Sequence, residues 1–419
     1  MTCKPIAIVL GGTAPHVHLI NRLKSRGYYT LLVDYYDNPP AKAHADMHVR
    51  ESTLDQDKVL KIAEAFGAEL VMSACVDQAN VTACYVAEKM GLPAPYSYKT
   101  ATRVGNKGLM KERIRHGQIP TPAYCCSDAS DPATETSLRY PVMVKPADSC
   151  GSAGVKRADD FEDLSKYYAE AMEISRAKQV IVEELVTGIE VSVYGFITDH
   201  QIHVLMMSQR LGVIEGRDRI VKCVATVTPP RISAQARNKI STIGNKLASE
   251  FSLTNTAIHV QVIVDGDDVW LIEFAPRVGG GVSFKTIMDS TGFDMIDATI
   301  DSYLGVPVAV AQNASATTYA VVLIYARTGV FDRLSGADAL IRNNTITALY
   351  EYRTKGMWIG DDRASASRVG SFVVQASSEN ELFSKIDSAI AAIEVYDSKD
   401  NAIMSKHYDY RALYRGDVS

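Results

Sequence analysis

Over the first hundred positions, short apolar runs alternate with amphipathic stretches, and that alternation predicts the elements. PIAIVL, YTLLVD and AELVMSA have strand length and almost no internal polarity, as strands buried on both faces require. The stretches from about His16 to Ser25, Asp57 to Phe66 and Ala79 to Met90 read as the helices that follow them. Strand and helix in strict succession predict a parallel, doubly wound α/β unit. GLPAPYS, Gly91 to Ser97, closes it with Pro and Gly.

A second unit follows. Thr102 to His116 predicts one helix, YPVMVKP a strand ending at Lys145-Pro146, and ADSCGSAGV (147–155) a loop of small residues. A helix from about Asp160 to Ser175 precedes the strand VIVEEL, which Val186-Thr187-Gly188 closes, and EVSVYGFIT resumes β structure. AIHVQVIVDGDDVWLIEF is a hairpin, because its Asp-Gly-Asp-Asp turn suits a tight reversal. From about Ala316, TYAVVLIYA and RVGSFVVQA predict strands and ENELFSKIDSAIAAIEV a helix, a third and smaller α+β unit. SQRLGVIEGRDRIVKC, Ser208 to Cys223, is charged and carries glycines, which fits either an exposed loop or a lid over substrate.

Composition narrows the function. With 419 residues and 47% hydrophobic side chains the chain can fill several cores, and a net charge of -5 argues against a nucleic-acid or anionic-membrane surface. No apolar run is long enough to span a bilayer, and MTCKPIAIVLGG reads as a buried strand rather than a signal peptide, so a cytoplasmic location is expected. The 7 cysteines form no CxxC pair, and Cys125-Cys126 reads as strand rather than redox pair. Gly11-Gly12 and Asp34 stand where a dinucleotide site would, but GGTAPH is not GxGxxG and Pro15 occupies the helix start, so no nicotinamide or flavin is expected.

No Walker loop or nucleophile elbow is present, so chemistry must come from a dispersed set. In LIEFAPRVGGG, Leu271 to Gly281, the lone carboxylate of Glu273 in an apolar strand calls for a positive partner, either an internal Lys or Arg or a metal ion. Lys145 ends an apolar strand and is followed by the small-residue loop Ser149 to Gly154, a way of holding polyphosphate with backbone amides and an ammonium. The strand end Glu183-Glu184-Leu185-Val186 can offer backbone groups to an adenine edge, and Glu190 can accept ribose hydroxyls. The hairpin brings Gln261 and Glu273 to adjacent positions as oxygen ligands suited to Mg²⁺.

This ordered set resembles the ATP-grasp superfamily across essentially the whole chain. YPVMVKP with its small loop, VEELVTGIEVSV and HVQVIVDGDDVWLIEFAPR carry the likeness. HVQ with LIEFAPR is most similar to carbamoyl phosphate synthetase lobes, while VGGG with TGFDMIDATIDSYLG is more similar to L-amino acid ligases. The resemblance implies an α/β fold with a Rossmann-like N-terminal domain (1–95), a two-lobed ATP-grasp domain (96–310, lobes 96–186 and 187–310) and a small C-terminal α+β subdomain (311–419). It implies ATP and Mg²⁺ as cofactors, with Lys107, Lys145, Ser149, Ser152 and Gly154 on the phosphates, Glu183, Glu184, Leu185 and Val186 around adenine, and Glu190 on ribose. Gln261 and Glu273 become the metal ligands, and Arg277, Lys145 and Glu273 the catalytic set.

Arg210 and Lys222 are the substrate candidates in the charged segment, and Gly279, Gly280 and Gly281 let backbone approach an acyl group. The family usually carries Asn where this chain has Ala275, which leaves water to fill the metal shell, or a weaker or lost activity. The implied reaction joins a small-molecule carboxylate, an amino acid or related acid, to an amine through an acyl phosphate, with no nucleic-acid or membrane partner and with a homodimer as the assembly. Carboxyphosphate chemistry and a non-catalytic ATP-binding sensor remain the alternatives.

Overall fold

The computed structural model describes residues 4–128, 137–149, 153–215, 220–311, 317–361 and 364–417. Among the described residues the strands form sheets of four, eight, three and four strands. Met47–Val49, Tyr29–Val33, Ile6–Leu10 and Leu70–Met72 lie side by side in that order, all parallel, with the helices Ala14–Ser25, Gln56–Phe66 and Asp77–Met90 as connections. The apolar runs read from sequence are these strands, buried almost without exception.

The Gly-Gly turn of this unit holds an imidazole rather than a phosphate. Gly11 has φ 101, and a Cβ there would lie 3.0 Å from His16 Cε1. Thr13 donates its amide to His16 Nδ1 (3.2 Å), while His16 Nε2 meets Ser73 Oγ (3.1 Å) and the Ala74 amide (3.3 Å). The ring ties the first turn to the end of the Leu70–Met72 strand. Burial pushes the His16 imidazole down to about 3.

A four-stranded antiparallel sheet, ordered Tyr124–Ser127, Val180–Glu184, Val142–Pro146 and Lys156–Ala158, packs on the helix Phe161–Ile174. Cys125 and Cys126 are strand residues in it. Before it, the single helix expected over 102–116 is two, Tyr98–Gly105 and Lys107–His116. Asn106 leaves helical geometry (φ -119, ψ 116) because its carboxamide oxygen caps the Leu109 amide at 3.1 Å.

The eight-stranded sheet is the spine of the molecule. Its order is Asp268–Ala275, Asn255–Asp265, Ile189–Thr198, Gln201–Glu215, Ile220–Thr228, Thr318–Tyr325, Arg368–Ala376 and Ala348–Glu351, all antiparallel neighbours. The expected Asp-Gly hairpin is there, with Gly266 at φ 57 in its turn. The charged segment Ser208–Cys223 is neither loop nor lid where described, since Ser208–Glu215 and Ile220–Cys223 are strand, paired from Gln209↔Val227 to Glu215↔Ile220. Nor does hydrogen bonding stop near residue 310: Thr318–Tyr325 pairs directly with Ile220–Thr228. The helix expected to run through Glu394-Val395 ends at Ala392, and those two residues begin the strand Glu394–Asp397.

Ion pairs fasten the N-terminal unit to the rest. Arg26 reaches Asp297 (2.8 Å) and Asp301 (2.6 Å), and Arg22 reaches Asp294 (2.6 Å). No helix among the described residues is long and apolar enough to cross a membrane.

Candidate active site

One cavity of about 230 Å³ opens between the N-terminal unit and the eight-stranded sheet. Of the residues singled out from sequence, Lys107, Ser149, Arg210, Gln261, Glu273, Arg277, Gly280 and Gly281 line it. The hairpin register places Gln261 directly opposite Glu273 and His259 opposite Ala275, so these positions form a square on one face. Gln261 Nε2 donates to Glu190 Oε1 at 3.1 Å, which leaves its carbonyl oxygen available. Glu273 forms no hydrogen bond or ion pair with a described residue, although it favours the charged forms of Lys111, Lys145, Arg210 and Arg277 nearby.

Arg277 is fixed from the N-terminal unit. Asp77, at the start of its helix, takes Arg277 Nε at 2.6 Å and Nη2 at 2.9 Å, and the Val278 carbonyl takes Nη1 at 2.9 Å. A bidentate clamp of this kind sets the guanidinium plane as well as its position. Burial opposes the Asp77 carboxylate, but Arg277 outweighs it and holds the group below the usual range. Of the five N–H donors of a guanidinium, the three used here leave two for a ligand.

His259 stacks on Tyr194 with centroids 5.0 Å apart. Burial, then the charges of Arg277 and Arg210, push its imidazole down to about 3, so it is neutral at pH 7. Both His259 and His16 therefore link stability to acid. Unfolded, each binds a proton near 6.5; folded, only near 3, so stability is whole above pH 6.5 and falls as pH drops toward 3. Each imidazole should cost about 2 kcal/mol between pH 6.5 and 5. Thermal midpoints at pH 7 and pH 5 should diverge in the native chain and by roughly half as much in His16→Asn; equal midpoints in the native chain would refute the linkage.

Beside the cavity lies a buried triad. Glu183, 2% exposed, accepts a hydrogen bond from Lys145 on one oxygen, and its other oxygen lies 2.9 Å from Lys111 Nζ as an ion pair. Lys111 also reaches Thr121 Oγ1 at 2.5 Å. Burial pushes Lys111 down to about 7; burial and then the Lys111 charge do the same to Lys145. Lys107 gives its amide to the Ala147 carbonyl (2.7 Å) and its ammonium to the Ser149 carbonyl. Lys107 and Lys111 stand one helical turn apart, so one helix supplies a cation to the cavity and another to the triad.

Several of the expected site residues have protein partners of their own or lie off the cavity lining. The Glu183 carboxylate is occupied between two lysines, and the Glu184 carboxylate by Arg139 (2.9 Å), so neither carboxylate is free to meet adenine. The Glu184 and Leu185 amides are already given to Ala123 and Pro141 carbonyls at 2.9 and 3.0 Å. Glu190 Oε1 serves Gln261 and lies 2.6 Å from Arg210 Nε, which leaves Oε2 for a hydroxyl. Lys145, Val186 and Lys222 lie off the cavity lining, and Lys222 sits 5.4 Å from the Tyr325 ring centroid. Gly279 is a packing residue, since a Cβ there would come within 2.4 Å of Tyr194 Cε1; Gly154 likewise packs against Ile174 and Pro146. Ser152 lies outside the described residues.

Residues 138–285 match the family model of the ATP-grasp domain. The chain carries an ATP-grasp domain. Solved structures share the fold over nearly the whole chain. L-amino acid ligase from Bacillus licheniformis is 17% identical with a TM-score of 0.76, covering 94% of this chain and 99% of that one. The biotin carboxylase domain of Hydrogenobacter thermophilus 2-oxoglutarate carboxylase, solved with MgADP, ADP and bicarbonate, is 16% identical with a TM-score of 0.76, covering 99% and 96%. Phosphoribosylglycinamide synthetase from Anaerococcus prevotii is 17% identical with a TM-score of 0.72, covering 94% and 100%.

The stretch matched to the ATP-grasp domain contains the triad's Lys145 and Glu183, the Gln261–Glu273 pair and Arg277, whereas Asp77, Lys107, Lys111 and Arg368 come from outside it. No group of three or more His, Cys, Asp and Glu able to hold a metal occurs among the described residues. An unpartnered carboxylate facing a carboxamide is a small, hard oxygen set. It suits a Mg²⁺ ion that brings most of its shell as phosphate and water.

Proposed function

We propose that the protein is an ATP-dependent ligase that joins a carboxylate, an amino acid or a related small acid, to an amine through an acyl phosphate, releasing ADP and phosphate. The observation that carries this reading is one cavity in which unpartnered Glu273 faces Gln261 while Asp77 holds Arg277 nearby with N–H groups to spare. Membership of an ATP-grasp domain and a fold shared with an L-amino acid ligase support it.

In this reading Gln261 and Glu273 hold the Mg²⁺ that accompanies ATP, and the ion supplies charge neutralisation on the phosphates. Lys107 faces the phosphate chain, with Ser149 at the loop beside it, and Lys145 adds its charge from behind the lining, where Glu183 holds it. The Glu184–Val186 backbone frames adenine with the groups still free, and Glu190 Oε2 meets the ribose. The substrate carboxylate attacks the γ-phosphorus, the bond from that phosphorus to the bridging oxygen breaks, and ADP leaves. Arg277 then steadies the acyl phosphate with its two remaining donors until an amine displaces phosphate. Catalysis in this reading is positioning and charge.

The test is a screen of ADP release over pairs of acids and amines with MgATP, with hydroxylamine as a trap for the activated acid. The correct acid should give a hydroxamate, and Arg277→Ala should depress hydroxamate and ADP together on the order of a hundredfold. AMP and pyrophosphate as products would sink the reading. ADP release driven by bicarbonate in place of the acid would move the protein to carboxyphosphate chemistry.

A further inference from the structure

The cations of the cavity are not equally matched. Arg277 has Asp77 and Arg210 has Glu190, but Arg368, the first residue of the strand Arg368–Ala376, makes no ion pair with a described residue. Its Nε is buried and has no hydrogen-bond partner. The guanidinium hydrogen-bonds the Tyr325 hydroxyl oxygen and lies 5.8 Å from that ring's centroid, with Tyr352 and Cys223 also felt, but none of these is a carboxylate. Tyr325 gives its own hydroxyl hydrogen to the Cys223 carbonyl at 2.8 Å, so it meets the guanidinium with oxygen only.

A lysine in such a place could shed its proton; an arginine cannot. A buried cation without a counter-charge is a standing loss to the fold, and it makes physical sense where a ligand brings the anion. The backbone supports the same conclusion. The pairing of Thr318–Tyr325 with Arg368–Ala376 shifts register between Ile324 and Tyr325, where Arg368 is the partner, and an irregularity of this kind re-aims a side chain.

Arg368 lines the same cavity as Glu273 and Arg277, but five strands lie between its strand and that of Glu273 in the sheet order. Thr226, Val321 and Leu323 line the cavity on intervening strands, a mixed wall suited to a small organic body. The cavity thus has two anion-seeking poles, and only the one at Glu273 and Arg277 can be where the activated carboxylate sits.

We propose that Arg368 binds the non-reacting carboxylate of the second substrate, so that the amine joined by this protein is itself an amino acid. The assignment to the second substrate rests on the ligase reading above; the carboxylate site itself does not. Arg368 positions the attacking amine by holding the far end of its molecule.

The site can be read by binding, without turnover. The full-length chain loaded with MgADP is melted with each standard L-amino acid and with its C-terminal primary amide. At least one free acid should raise the melting midpoint while its amide does not, and Arg368→Gln should erase that shift while keeping the shift due to MgADP. Without ligand, Arg368→Gln should melt no lower than the native chain, because it removes an unmatched charge; Arg368→Lys, which keeps the charge, should retain part of the response if the Gln variant folds poorly. In turnover with the matching pair, Arg368→Gln should raise KM for the amine about thirtyfold or more and leave KM for MgATP unchanged. Equal shifts with acids and amides, no shift with any acid, an undiminished shift in Arg368→Gln, or a response to phosphoethanolamine in place of the acids would each overturn the site. Acids that bind through Arg368 while no pair releases ADP would sink the ligase reading instead, and ligation that accepts amides equally would sink the Arg368 site and leave the ligase standing.

Discussion

Glu273→Gln should lower Mg²⁺-dependent ADP release on the order of a hundredfold or more, about 3 kcal/mol in the barrier, with the secondary structure unchanged. The carboxylate breaks no direct ion pair when neutralised, because it has none among the described residues. It does lose its field on Lys111, Lys145, Arg210 and Arg277, so a small drop in melting midpoint is expected alongside the kinetic loss. Rates measured across a Mg²⁺ titration separate the two effects: a folded variant whose rate recovers at high Mg²⁺ has lost a ligand. A folded variant with undiminished ADP release at all Mg²⁺ concentrations would remove Glu273 from the chemistry and leave it as a counter-charge to its four cations.

The second large effect is on stability. Glu183→Gln leaves two buried ammonium groups facing a neutral amide, and breaking a buried pair in this way costs about 3–5 kcal/mol. The loss should be strongest at neutral pH and shrink on the alkaline side. Burial already lowers Lys111 and Lys145 toward 7, and without Glu183 both fold most easily as neutral amines, while the unfolded chain keeps its protons up to the ordinary lysine value of 10.5. Raising pH from 7 to 9 therefore reduces the protons that must be given up on folding, and the variant regains stability. Denaturant midpoints at the two pH values give the answer. A Glu183→Gln chain as stable as the native one at pH 7 would mean the lysines are neutral in the native fold and the triad is only a hydrogen-bonded cluster.

Sequence revealed what local pattern and motif spacing can carry. Ile6–Leu10, Tyr29–Val33 and Leu70–Met72 were legible because strands buried on both faces have no polar residue to blur them. Gln261 and Glu273 were legible as partners because the Asp-Gly turn fixes the hairpin register between them. Ser208–Cys223 misled because Arg210 is matched inside the sheet: it lies against Glu190 on the neighbouring strand, and such a charge looks in sequence like one facing water. The break at Asn106 has a local signal that a single-helix reading passes over: Gly105 ends the first helix, and the Asn106 carboxamide caps the next.

Asp77, His259 and Arg368 left no readable trace. Asp77 is an ordinary acidic residue at a helix start until Arg277, two hundred positions later, closes on it. Lys111 could have been found, because a lysine one turn from Lys107 and beside Met110 and Ile114 falls on the buried side of its helix.

The eight-stranded sheet also bears on how such a protein can change over time. Because Thr318–Tyr325 pairs with Ala225 to Thr228 of the strand Ile220–Thr228, the C-terminal segment continues the sheet of the segment before it. Its removal would bare the edge over Ala225 to Thr228, a surface that invites other chains to add to it. Recombination at a boundary near residue 310 would thus be punished by aggregation before specificity was ever tested. New substrates are more accessible by single changes on the strands that face the cavity, where the scaffold stays whole while the chemistry of one wall is rewritten.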